Sequence, residues 1–116
     1  MTRSIRVVTA FVGVTAILGA CASAGTSAPA ALSTSIDIQG FKFPANTDVA
    51  KGTKVTWTNK DGTAHTVTSG TRPNKDGKFD GQVAAGASFS FTFTDAGVYQ
   101  YYCSIHSTMD ATITVK

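Results

Sequence analysis

Three residues near the end of the chain carry metal-ligand chemistry at equal spacings: Cys103, His106 and Met109. They offer a thiolate, an imidazole and a thioether within one short loop, directly before an apolar run from Ala111 to Lys116. A closed site of this kind needs a second imidazole. The chain has two His, so the partner is His65, which follows the Asp61-Gly62 turn. Two His and one Cys in a trigonal arrangement with a weak axial Met form the ligand set of a type 1, blue-copper electron-transfer site. Thiolate and thioether favour Cu(I), and imidazole suits both oxidation states. Zinc sites seldom use Met. A c-type haem would need C-x-x-C-H, which is absent.

The elements that must position these residues read as β throughout. Ser35–Phe41, Lys54–Thr58 and Ser88–Thr94 alternate polar and apolar side chains. His65–Thr68, Tyr99–Cys103 and Ala111–Lys116 complete the set. Period-two alternation over β-branched and aromatic residues marks half-buried strands. Turn signals separate them at Lys51-Gly52, Asp61-Gly62, Asp76-Gly77, Asp80-Gly81, Ala85-Gly86 and Asp95-Ala96-Gly97. The expected fold is all-β, a Greek-key sandwich or barrel of about seven to eight strands. Trp57 with Val55, and Phe89, Phe91 and Phe93, are expected in the core. Parity sends Tyr99, Tyr101 and Cys103 inward, and Gln100 and Tyr102 outward. An outward Tyr102 beside Cys103 is a candidate second electron port, although exposed strand tyrosines are common. Asn59 is expected either to brace the ligand loop or to serve its own turn. Gly70–Gln82 reads as the longest irregular stretch. Asp76 and Asp80 within it lack EF-hand spacing, so a solvated loop is expected there.

The N-terminus has the order of an export signal. Arg3 and Arg6 precede an apolar run, Val7–Leu18, followed by Gly19 and Ala20. The run is short for a membrane-spanning helix, which needs roughly 20 residues. Leu18-Gly19-Ala20-Cys21 resembles the bacterial lipoprotein box and makes Cys21 the expected lipidation site; ordinary cleavage after Ala22 or Ala24 is the alternative. Residues 22–33 are small and uncharged and read as a flexible linker. The expected organisation is a signal over 1–21, the linker over 22–33 and one domain over 34–116. The whole chain carries a net +3, but from Cys21 onward eight Lys/Arg face seven Asp, a net +1. No basic run with interleaved aromatics suggests nucleic acid. Exported proteins normally pair their thiols. A lipidated Cys21 leaves Cys103 alone, and a metal explains a solitary thiolate in that compartment better than a Cys21–Cys103 disulfide, which would staple the linker to the domain.

Over residues 35–116 the chain resembles the cupredoxins, small blue-copper proteins of the plastocyanin and amicyanin type. The carriers are Val55-Thr-Trp57-Thr-Asn59-Lys-Asp61 leading to His65-Thr-Val67, then Gly97-Val-Tyr99-Gln-Tyr101-Tyr-Cys103-Ser-Ile-His106-Ser-Thr-Met109. The C-x-x-H-x-x-M spacing resembles amicyanin, whose ligand loop is shorter than that of plastocyanin. The resemblance implies one copper per chain, held by His65, Cys103, His106 and Met109, with His106 nearest the surface. Thr66 stands where the family often has Asn, whose backbone N–H bonds the Cys sulfur. Ser107 and Thr108 stand where many relatives have Pro. The expected function is single-electron transfer to redox protein partners through brief encounters, by a monomer exported to the periplasm or the outer face of the cell membrane. Copper storage or delivery is the alternative, but such carriers usually have Met- or His-rich tracts. No catalytic activity is expected: the chain has no Ser-His-Asp pattern, no Glu, and none of the further histidines of multicopper oxidases. A metal-free adhesive β-domain would leave the ligand set a coincidence.

Overall fold

The computed structural model describes residues 31–116. The export signal, Cys21 and the linker up to residue 30 lie outside the described residues. Eight strands follow: β1 Ser33–Ile38, β2 Asn46–Val49, β3 Thr53–Asn59, β4 His65–Thr71, β5 Asn74–Val83, β6 Ser88–Phe93, β7 Gly97–Tyr102 and β8 Asp110–Val115. No helix occurs among the described residues. A three-stranded sheet has the order β1-β3-β6, and a five-stranded sheet has the order β2-β8-β7-β4-β5. The chain passes repeatedly between the sheets, as in a Greek-key sandwich.

The alternation legible in the sequence sets the three-stranded sheet. Val55 pairs with Phe91 and Trp57 with Phe89 across β3 and β6. On the outer face the Thr56 and Ser90 hydroxyls meet at 2.8 Å, and those of Thr58 and Ser88 at 3.0 Å. Cross-strand hydroxyl pairs stabilise a solvated sheet face. On the inner face Trp57 is fully buried. Its ring centroid lies 5.9 Å from Phe79 on β5 and 5.5 Å from Tyr101 on β7, so one indole joins the two sheets.

Two strands differ from expectation. β2 is a four-residue edge strand, parallel to β8, with only Val49 buried. Four residues are too few to display a period. Gly70–Gln82, expected as a solvated loop, is mostly strand. β4 runs to Thr71, and β5 returns antiparallel to it. β5 is an edge strand whose buried residues are only Phe79 and Val83, so its alternation is masked by Lys and Asp. Those charges have partners: the Thr68 hydroxyl donates to Asp80 at 2.8 Å, the Ser69 hydroxyl to Asp76, and Lys75 pairs with Asp80 at 2.7 Å. Gly70 marks the register shift between β4 and β5. Its φ is +123°, and a Cβ there would collide with the Asn74 carbonyl, so only glycine fits.

Tyr102 also departs from expectation. Its parity is as read, opposite to Tyr101, but it is 3% exposed. The β4–β5 turn covers it: Arg72 lies 4.8 Å over its ring, and its hydroxyl donates to the Pro73 carbonyl at 3.2 Å. Strand parity shows which face a side chain takes, but not what crosses that face.

Trp57→Ala should cost about 3–5 kcal/mol by urea denaturation, because the indole fills the space between the sheets. Such a loss is large against the 5–15 kcal/mol typical of a whole domain. The Lys75 ammonium and the Thr68 hydroxyl hold the Asp80 carboxyl below its usual range. A depressed carboxyl contributes stability that is complete above its unfolded value, about 4, and is lost as pH falls through the folded value. Asp80→Asn should therefore melt below the parent near neutrality, with the gap closing on acidification; a gap independent of pH would contradict this.

Candidate metal centre

The β7–β8 connection is built around a closed neck. Tyr102 and Asp110 are the last ladder pair, and the register continues one step as Cys103 N–H donates to the Met109 carbonyl at 2.9 Å. Residues directly opposed in an antiparallel pair share a face. Cys103 and Met109 therefore take the same side as Tyr101 and Ala111, the side that faces the core. Cys103 is 0% and Met109 1% exposed. Between them, Ser104–Thr108 turn outward. His106 is half-buried and Ile105 is exposed.

His65 opens β4 and is fully buried. β4 lies beside β7, with Thr68 opposite Tyr102, which brings the start of β4 alongside the ligand loop. The Thr66 N–H donates to Cys103 Sγ at 3.3 Å. The Thr66 side chain adds a second brace: its Oγ1 accepts from the Ser104 N–H at 2.7 Å and meets Ser104 Oγ at 3.0 Å.

Three donor atoms converge. His65 Nδ1 lies 3.1 Å from His106 Nδ1, Cys103 Sγ lies 3.8 Å from His65 Nδ1, and Cys103 Sγ lies 3.5 Å from His106 Nδ1. Metal bonds of about 2.0 Å to nitrogen and 2.3 Å to thiolate, set at trigonal angles, separate their donors by roughly 3.5 Å. The spacing present fits one soft-to-borderline metal ion among these three ligands. Among the described residues this is the metal-ligand cluster that the side chains form.

One carboxylate outside the ligand set orients the site. Asp61 Oδ2 accepts from His65 Nε2–H at 2.9 Å, which leaves the His65 Nδ1 lone pair facing the sulfur. Asp61 also accepts the N–H groups of Phe41, at 2.9 Å, and Gly40, at 2.7 Å. The Phe41 N–H is the main cause that holds this carboxyl below its usual range; partial burial opposes it, and Gly40 and His65 add to the lowering. The bonds place Phe41, at φ 56°, edge-on to both imidazoles, with centroids 5.4 Å from His65 and 5.0 Å from His106. By sequence alone Phe41 falls at the end of a strand and Asp61 in a turn. An Asp four residues before a His was the visible signal. Nothing local linked it to Phe41, 20 residues upstream.

Asn59 serves its own turn rather than the ligand loop. Its Nδ2 donates to the carbonyls of Thr63, at 2.7 Å, and Val83, at 3.0 Å, and its Oδ1 accepts the Asp61 N–H at 2.9 Å. It thereby holds the segment that carries Asp61 toward His65. Burial pushes the Tyr101 phenol up to about 12, so it stays neutral beneath the site.

Comparison with known proteins agrees with this geometry. Residues 30–116 match the family described as copper binding proteins, plastocyanin/azurin family. No curated protein sequence matches the chain. Among solved structures, a purple cupredoxin from Nitrosopumilus maritimus is 31% identical, with a TM-score of 0.65, over 72% of this chain and 99% of that one. A Cu(I) form of an amicyanin variant is 27% identical, with a TM-score of 0.64, over 72% of this chain and 82% of that one. A reduced form of another amicyanin variant is 28% identical, with a TM-score of 0.63, over 77% and 85%. His65, Cys103 and His106, gathered at one end of an eight-stranded sandwich, have a place in that company: the chain belongs to the plastocyanin/azurin family of copper-binding proteins.

Proposed function

We propose that this chain is a type 1 copper protein that carries single electrons between redox proteins, with Met109 as the fourth ligand. The observation that carries the reading is the convergence of the buried Cys103 sulfur with two imidazole nitrogens, the set that type 1 copper requires. Bound copper would supply a one-electron Cu(II)/Cu(I) couple. The protein's part is to hold its donors in one arrangement whichever state is present. Thr66 N–H braces the sulfur, Asp61 fixes the His65 ring, and the β-ladder fixes Cys103. Met109 is supported by its place across the neck from Cys103 and its burial on the same face.

His106 is the member of the set that is not fully buried. Phe41 and Ile105, exposed at 47% and 52%, lie beside it in space and in sequence. An apolar rim around a half-buried imidazole suits a brief, small-area encounter with a redox partner. Further support for a partner outside the cytoplasm comes from the N-terminal signal and the Cys21 motif, which we read as export followed by lipid anchoring.

Cu(II) added to the protein should give an intense visible thiolate-to-copper band that bleaches with ascorbate and returns on reoxidation. Cys103→Ser should abolish the band. Binding of Cu(I) without a band in the oxidised parent would shift the reading to copper storage or delivery. Labelled lipid should enter the full chain in cells and be absent from Cys21→Ala; label retained by that variant would refute the anchor.

A further inference from the structure

Arg72 belongs to the β4–β5 turn, yet its guanidinium ends on the ligand loop. Its Nη2 donates to the carbonyls of Cys103 at 2.9 Å, His106 at 2.9 Å and Met109 at 3.3 Å. Its Nε lies 3.3 Å from Asp110 Oδ1, and its Cζ sits 4.8 Å over the Tyr102 ring. The Arg72 side chain is 27% exposed, so water screens it only in part.

Three carbonyls of three ligand-loop residues thus converge on one nitrogen of a residue at least 31 positions upstream. The loop residues Ser104–Thr108 include no Pro to stiffen it, and four of the five are exposed. Thr66 holds the loop at Ser104, and Arg72 holds it at its two ends and its middle. The guanidinium suits the task because its fork serves the carbonyls and Asp110 together while its cationic carbon lies over the Tyr102 ring. Its charge has a second consequence. An oxidised copper centre carries one more positive charge than a reduced one, so a fixed cation on the loop disfavours the oxidised form. Asp110 offsets this incompletely, being 55% exposed and well screened.

We propose that Arg72 is a positioning residue for the copper centre: it holds the ligand loop through the Cys103, His106 and Met109 carbonyls, and its charge biases bound copper toward the reduced state. The proposal rests on the copper reading above.

The test compares the parent with Arg72→Gln and Arg72→Lys. Arg72→Gln should lower the Cu(I)/Cu(II) ratio, poised against a fixed redox couple, by about tenfold, which is ~59 mV for one electron. Arg72→Lys, which keeps the charge, should stay within about threefold of the parent ratio. In the copper-free protein, both variants should exchange the Ser104–Met109 amides about tenfold faster than the parent, because each loses the fork. Asp110→Asn, which removes the counter-charge and leaves Arg72 in place, should move the ratio the other way, toward Cu(I), and reads the charge effect even if Arg72→Gln fails to fold. Unchanged ratio and unchanged exchange in Arg72→Gln would overturn the proposal, as would an Asp110→Asn shift toward Cu(II). A parent with no thiolate-to-copper band would instead sink the copper reading, while exchange in the copper-free protein would still report on the clamp.

Discussion

The hydrogen bond from the Cys103 N–H to the Met109 carbonyl, 2.9 Å long, is the constraint on which the loop end of the sandwich depends. It extends the β7–β8 register one step beyond Tyr102 and Asp110 and so fixes the face that Cys103 and Met109 take. A slip of one residue would turn every side chain of β7 to the opposite face. The sulfur would then leave the core, and Tyr101 would leave its place against Trp57. Core packing and ligand placement are consequences of one register.

The site is assembled from segments far apart in the chain, so each must be delivered by its own element. Asn59 fastens the turn after β3 to Val83 at the end of β5, and that turn presents Asp61. Asp61 in turn connects His65 to the segment at Gly40 and Phe41. Arg72 reaches the ligand loop from the other side. Neither Asp61 nor Arg72 belongs to the proposed ligand set, yet Asp61 holds the far nitrogen of the His65 ring and Arg72 holds the backbone carbonyls of Cys103, His106 and Met109. Such supporting partners set ligand orientation, and a site left without them is loose.

Much of this was legible in the sequence where a single local pattern carried it. The strict alternation of Ser88–Phe93 and the ladder from Gly97 to Tyr102 needed no partner to be read as strands. The four proposed ligands were legible by elimination, since the chain has two His and, within the folded part, one Cys and one Met. Where the pattern was interrupted, reading failed. β5 shows a core face of two residues among Lys and Asp, because an edge strand can turn its charges to water or to its neighbour's hydroxyls. Tyr102 was assigned the correct face but not its cover, because Arg72, which shields it, arrives from another strand pair.

The sequence by itself determined the β period, the identity of the donor atoms and their chemistry, because these are properties of residue type and of spacings a few residues long. Only the tertiary structure decided that His65 meets Cys103 across 38 positions, that Asp61 serves His65 and Phe41 together, and that Arg72 closes on the carbonyls of the ligand loop. Contacts of that separation depend on how two sheets stack and which edges lie side by side. That arrangement is chosen by burial of the whole core around Trp57, and no short stretch of the chain encodes it.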